Sequence, residues 1–373
     1  MNIVCNKQLL TEAVANVSRA VSSKNTMAAL EGILLKAHGG RLELTGYDLE
    51  LAISTGIDAA IVEEGDIILT ARIFLDIIRK MPSETVTIQS DEKMLTQILG
   101  SHTQYTILGI PASDFPELPA VSQSSLLTLP KDTLKNMIGQ TLFAVSTSDA
   151  KPAHMGDLFE RVEGTLNVVA VDGYRLALRQ EKIGEAEADE ENEKMRFIVP
   201  GKSLQEVSKL IRDGGGTIRM SVSRRHIIFD IDGYRIISRL LEGDFLDYRA
   251  AIPEGGRTQV RISTRELISA IERTSLLISD NVKSPLRMRF CEDAIHISCS
   301  TALGKALDEI SSSQEGEEVE IGFNGKYMLD ALKASECDEL RLILNGPLSP
   351  MKIMPLEGDS FIFLVLPVRL KSE

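Results

Sequence analysis

Five histidines, His38, His102, His154, His226 and His296, are the side chains best suited to hold a metal or move a proton near neutral pH, and they are scattered singly along the chain. None falls in an H-x-x-x-H or H-E-x-x-H spacing that would bring two imidazoles to one helix face. Four cysteines, Cys5, Cys291, Cys299 and Cys337, form no C-x-x-C pair. They read as reduced thiols of a cytoplasmic protein, because a chain of this size does not need disulfide staples. Asp172, with Gly173 after it, offers a carboxylate around which a hydrolase could be imagined, as does His154. The local chemistry of Asp-Gly between two apolar runs, however, is that of a turn. No G-x-x-x-x-G-K-[ST] or G-x-S-x-G occurs, and the cluster Asp213-Gly-Gly-Gly-Thr217 follows a helical pattern instead of opening one. No metal, cofactor or catalytic centre is called for, and an enzyme is the weaker class.

What does recur is positive charge. The second helical segments described below align Lys80, Lys209 and Lys333, with Arg72, Arg79, Lys202, Arg212 and Lys326 nearby, and the first ones carry Lys7, Arg19, Lys131, Lys135, Arg265 and Arg273. One cation on a helix is ordinarily just solvated. Repetition at one position in three copies points instead to phosphates, which Lys and Arg contact without reading sequence. The net charge of −13 argues against indiscriminate coating of nucleic acid, but it is a sum and not a distribution. A single run, Glu185-Ala-Glu-Ala-Asp-Glu-Glu-Asn-Glu193, supplies much of it and reads as a solvated hairpin loop.

The elements that position these cations come in triplicate. Residues 7–21, 131–145 and 264–278 share their apolar positions: Leu10, Leu134 and Leu267; Val14, Ile138 and Ile271; Val21, Val145 and Ile278, at offsets of 124 and 133 residues. Spacings of three and four predict a helix buried on one face. A second helical pattern, aligned on Leu75, Leu204 and Met328, leads each time into a strand-like run at 86–89, 217–222 and 339–344. Between them lie alternating strands, such as 32–37, 42–46 and 49–55, turned at Gly39-Gly40. The order lacks strict βαβ alternation, so the expected class is α+β with antiparallel sheets.

At 373 residues, 43% hydrophobic and 25% charged, the chain has room for several ordinary cores. A repeat of this length is a whole domain and not a solenoid unit. Turn residues place the joins near 111–119 and 252–257, giving domains 1–120, 121–252 and 253–373. The amino terminus shows no basic stretch followed by an apolar run, and no eighteen apolar residues stand together, so neither secretion nor membrane insertion is expected.

Four motifs together, Val171-Asp-Gly-Tyr-Arg-Leu-Ala177, Gly243-Asp-Phe-Leu-Asp-Tyr-Arg249, Ile321-Gly-Phe-Asn-Gly-Lys-Tyr327 and Val365-Leu-Pro-Val-Arg-Leu370, resemble the β sliding clamp family of bacterial DNA polymerase III. The likeness runs in order from Met1 to Leu370. It implies a head-to-tail homodimeric ring with antiparallel sheets outside and helices lining a central hole. Such a ring encircles duplex DNA, tethers the replicative polymerase and so confers processivity without catalysis. The implied partners are DNA polymerase III subunits, the clamp loader, and repair polymerases and other proteins that insert a short peptide between the middle and last domains. Carried over by position, that pocket comprises His154, Gly173, Tyr174, Arg175, Leu176, Leu246, Ala250 and Ala251. From the last domain come Asn324, Tyr327, Leu348, Pro350, Leu364, Leu366, Pro367, Val368, Arg369 and Leu370.

Here Leu246 and Ala250 stand where the family commonly has proline and arginine, and His154 where it usually has leucine, which bears on the preferred peptide. For DNA the resemblance indicates Lys24, Arg72, Ser148, Lys151 and Lys202, beside the repeated Lys80, Lys209 and Lys333. The family's aromatic residues are absent at Pro152 and Ala153. At the ring seam it sets Tyr105 and Ile107 against Leu277 and Ile278 of the other subunit. A clamp-like interaction scaffold that does not load on DNA is the alternative.

Overall fold

The computed structural model describes residues 1–22, 26–121, 125–183, 195–279 and 284–370. Each third of the chain opens on a strand, enters a helix, runs through successive antiparallel strands to a second helix, and closes on more strands. The first helices are α1 (Lys7–Val17), α3 (Lys131–Thr141) and α5 (Thr264–Thr274). The second are α2 (Ala71–Lys80), α4 (Gly201–Leu210) and α6 (Gly325–Ser335). Side-chain caps fix several starts. Asn6 Oδ1 accepts from the amides of Gln8 (2.9 Å) and Leu9 (3.1 Å), and Asn324 Oδ1 accepts from Lys326 (3.0 Å) and Tyr327 (3.4 Å), meeting amides that have no partner within the helix.

Two of the three aligned sets in the first helices are as expected, Leu10, Leu134, Leu267, Val14, Ile138 and Ile271 being fully buried, whereas Val21, Val145 and Ile278 are half-buried in extended backbone past each helix. Each ends sooner than expected, tightening into a 3-10 turn at Ser18–Ala20, Leu142–Ala144 and Ser275–Leu277. For the second helices the alignment is corrected by one residue in the first repeat. Phe74, Leu204 and Met328 are the fully buried counterparts, each the fourth residue of its helix, while Leu75 is only half-buried. A slip of one residue turns a helix by about 100°. The cation matching Lys209 and Lys333 is therefore Arg79, and Lys80 is the last residue of α2.

By packing, the chain divides into two compact units, one of residues 1–132 with 205–240, the other of 133–204 with 241–373. In the first unit, strand Tyr234–Arg239 pairs antiparallel with Leu51–Glu63, Ile236 lying opposite Ile53. In the second, Arg175–Lys182 pairs with Phe361–Val365, Ala177 opposite Phe363. Two hydrogen-bonded strand pairs thus carry a sheet from one repeat into the next, and the middle repeat contributes to both units. Within the first unit α1 packs on α2, and Arg19, just past α1, bonds Glu206 of α4 (3.3 Å). Within the second α5 packs on α6, and Gln140 of α3 donates to the Ser335 carbonyl at the end of α6 (3.1 Å).

Candidate functional site

The turn between strands Thr165–Val171 and Arg175–Lys182 is built by Asp172. Its Oδ1 accepts from the amides of Tyr174 (2.9 Å) and Arg175 (3.0 Å), and Gly173 takes φ +91°, where a side chain would be strained. Its other oxygen accepts from Arg175 Nε (2.9 Å). With both oxygens engaged, Asp172 is a turn-former and an anchor for Arg175. Arg175 reaches on to Asp330 Oδ2 (2.5 Å), with its guanidinium 4.5 Å from the Tyr327 ring centroid and 5.6 Å from that of Phe143. Tyr174, 61% exposed, stacks on Tyr327 at 5.9 Å. A planar cation fixed between two carboxylates and two rings presents a rigid, partly aromatic surface.

Beside this lies an apolar floor. Leu176, Leu364, Phe245, Tyr248 and Ala153 belong to one buried cluster, with Ala251 packed against it. The connecting segment that follows the middle repeat carries Leu246 and Ala250, both exposed, on either side of the start of a single helical turn, Tyr248–Ala251. That turn is tied down by Glu160, whose Oε2 accepts from Tyr248 (2.7 Å) and Arg249 (2.6 Å). Burial pushes the Glu160 carboxyl up, yet these two hydrogen bonds outweigh it and hold the group below its ordinary value. His154 is buried edge-on to Phe245 at 5.3 Å, and burial, with Lys151 nearby, lowers its pKa. Both effects favour the neutral imidazole.

From the last repeat, Tyr327 is half-buried on α6, and Asn324 caps that helix. Leu348 is exposed and Pro350 half-buried. Past the last strand, Leu366 N donates to Tyr174 O (2.9 Å) and Val368 N to Gly322 O (2.7 Å), with Leu366, Val368 and Arg369 exposed and Pro367 and Leu370 half-buried. Sequence reasoning missed Asp330 and Phe143, which hold Arg175. Asp330 lies three residues after Tyr327 on one helix, a spacing that places both on the same face. Phe245, inside a quoted motif, and Glu160, which shares the buried strand Gly156–Val162 with Asp157 and Arg161, were also missed.

On the helices, Arg72, Lys202 and Lys326 occupy the second position of α2, α4 and α6, and Arg79, Lys209 and Lys333 the ninth. All six are exposed. A separation of seven residues is two turns, about 10.5 Å along one helix face. Two of these cations already hold carboxylates, Lys209 with Glu206 (2.7 Å) and Lys333 with Glu272 (2.7 Å), and just past α4 Arg212 pairs with Glu12. Glu206 is buried, whereas the Lys333–Glu272 and Arg212–Glu12 pairs are exposed and worth about 0 to 1 kcal/mol each. Ser148 and Lys151 are exposed in the loop after α3, and Lys24 lies outside the described residues, as do 184–194 and 371–373.

Among the described residues, two of the strands that end a sheet bear on the expected subunit seam. Gln104–Leu108, bearing Tyr105 and half-buried Ile107, is bonded on one side to Leu95–Leu99, and Gly304–Ser311 on one side to Ala294–Thr301. Around the second, Leu276, Leu303 and Leu307 are 82%, 71% and 76% exposed, and Leu277 and Ile278 half-buried. Open apolar edges invite a further strand.

Three copies of one α+β unit, sheets continued across their joins and cations repeated on the second helices, define the DNA-clamp class. Comparison with known proteins narrows the class. The N-terminal, central and C-terminal domains of the DNA polymerase III beta subunit match residues 1–119, 128–247 and 249–369. The beta sliding clamp of Bacillus subtilis is 34% identical, over 99% of this chain and 100% of that protein. A crystal structure of the Bacillus subtilis clamp superposes with a TM-score of 0.95 at 33% identity, over 100% of both chains. A Bartonella birtlesii clamp solved bound to griselimycin gives 0.93 at 26% identity, over 99% of this chain and 100% of that one. The chain belongs to the DNA polymerase III beta subunit family, the bacterial sliding clamps. Among the described residues no helix is long and apolar enough to cross a membrane.

Proposed function

We propose that two copies close head to tail into a ring around duplex DNA, in the cytoplasm, with the helices of domains 1–120, 121–252 and 253–373 toward the hole. The observation that carries this is the double row of exposed cations at the second and ninth positions of three repeated helices. Phosphate contacts of that kind hold a duplex without reading it, so the ring slides and catalyses nothing. Arg72, Lys202 and Lys326 with Arg79, Lys209 and Lys333 make up that double row, and Lys24, Lys80, Ser148 and Lys151 complete the proposed DNA-facing set. The two open edges support the seam, Tyr105 and Ile107 meeting Leu277 and Ile278 of the other subunit, in keeping with the closed symmetry of most homo-oligomers. Polymerase III subunits, the clamp loader and repair polymerases would dock a leucine- and phenylalanine-bearing peptide on the Tyr174 surface and the apolar floor beside it. Apolar walls with a few polar anchors suit such a peptide.

With a clamp loader and ATP, the protein should remain on nicked circular DNA and leave once the circle is cut. Retention after linearisation excludes a sliding ring. Charge reversal at Arg79, Lys209 and Lys333 together should reduce retention while sedimentation still reports a dimer. Unchanged loading would remove the argument from the helix faces and favour the scaffold reading, which the net charge of −13 suggests.

A further inference from the structure

The motif Ile321-Gly-Phe-Asn-Gly-Lys-Tyr327 contains two glycines, and neither has the left-handed backbone that makes glycine obligatory. Gly322 sits in strand Val319–Phe323, whose Ile321 and Phe323 are buried in the core. The pleat turns the intervening residue to the opposite face. On that face runs the end of the chain. Val368 forms an isolated antiparallel bridge with Gly322, donating to its carbonyl at 2.7 Å. A Cβ on Gly322 would stand 2.5 Å from the Val368 carbonyl oxygen and 2.7 Å from Leu370 Cδ2. The first of these is backbone and cannot swing aside. A Cβ on Gly325 would be crowded only by the Ser275 hydroxyl, at 2.9 Å, which rotation can move, its other neighbours lying at 3.9 and 4.0 Å.

The tail has a second fixed point in the bond from Leu366 N to Tyr174 O (2.9 Å), at the Asp172 turn. The tail is thus pinned at Leu366 to the turn that presents Tyr174 and Arg175, and two residues on, at Val368, to a bare notch in a strand. We infer that Gly322 is a positioning residue for partner binding: the notch lets the tail lie flush and sets where Leu366, Val368 and Arg369 stand. The inference rests on the proposed reading of the tail as one wall of the peptide pocket.

The test is Gly322→Ala, read by two measurements on the full-length protein. In a titration with a synthetic peptide carrying leucine and phenylalanine anchors, affinity should fall about tenfold, as expected when a pre-organised wall is lost. In amide hydrogen exchange, the Val368 amide should be protected in the parent and lose protection in the variant, with dimer mass unchanged. Gly325→Ala should change neither. Affinity lost while Val368 stays protected, Val368 opened while affinity stays, or neither changed, each overturns the inference while leaving the pocket in place. A parent that does not bind the peptide sinks the pocket reading, and the inference with it.

Discussion

The turn at Asp48 in the first repeat and the turn at Asp172 in the middle repeat share one hydrogen-bond frame. Asp48 Oδ1 accepts from Glu50 N (3.1 Å) and Leu51 N (2.7 Å), as Asp172 does from Tyr174 and Arg175. The amide of Arg239 closes the first on Glu50 O (2.8 Å), as Leu366 closes the second on Tyr174 O (2.9 Å). Phe115 packs beside the first as Phe245 does beside the second. The side chains differ. Where the middle repeat sets Tyr174 and Arg175, the first has Glu50 and Leu51, and where it buries His154 and Asp157, the first buries Leu30 and Ile33. Backbone frame is what the repeat conserves, and recognition is grafted on it by a few residues.

The largest expected effect concerns Asp157. It lies wholly buried, its Oδ2 2.5 Å from Thr141 Oγ1, which is also 3.0 Å from the Met137 carbonyl. One hydroxyl proton cannot serve both acceptors, but a neutral Asp157 donating to Thr141, with Thr141 donating to Met137, satisfies each. Burial accordingly raises the carboxyl from 3.8 to about 7, against the Thr141 hydrogen bond. Because the folded value is raised, the stabilisation is fully present below pH 3.8 and is lost as pH rises to about 7. Asp157→Asn should unfold later than the parent at pH 8, by up to about 4 kcal/mol at roughly 1.4 kcal/mol per pH unit, with the advantage shrinking toward pH 4. Urea melts across that range decide it, and a constant difference would mean that Asp157 does not titrate. Ile33→Val, at the matching site of the first repeat, should show no pH dependence.

Next comes Arg175→Ala. Removing the cation strands Asp172 and Asp330 and the Tyr327 face, so peptide affinity should fall about a hundredfold, roughly 3 kcal/mol. Leu51→Ala, the counterpart in the first repeat, should lower the melting temperature and leave peptide affinity alone. Equal losses of affinity would mean that both turns bind, and the contrast between them would collapse.

Why some of this was legible in the sequence and some was not is a matter of range. The threefold repeat, the first-helix register and the strands Thr217–Val222 and Glu339–Leu344 follow from periodicity, which is local. The Asp172 turn follows from Asp-Gly. The one-residue slip at Phe74 arose because Phe74, Leu75, Ile77 and Ile78 are all apolar, and periodicity alone cannot say which of two adjacent apolar residues is buried. Asp330, Phe143 and Glu160 escaped because their roles depend on partners between 32 and 155 residues away in sequence. The division of the middle repeat between two units escaped for the same reason, since strand pairing between repeats leaves no local signature.

The smallest effect is the sharpest comparison of the two turns. The residue after the aspartate has positive φ in both, +76° at Leu49 and +91° at Gly173. Glycine enters that region freely, whereas a branched side chain is strained there by about 1 kcal/mol or more. Leu49, 46% exposed, has little packing to lose. Leu49→Gly should therefore stabilise the protein by about 0.5 to 1 kcal/mol, strain relief exceeding the added chain entropy, and Gly173→Ala should destabilise it by about 1 kcal/mol. Only the second should also weaken peptide binding, because only that turn presents Tyr174 and Arg175. Paired melts and titrations would show it, and a Leu49→Gly variant less stable than its parent would mean that Leu49 is held by packing and not merely tolerated by the frame.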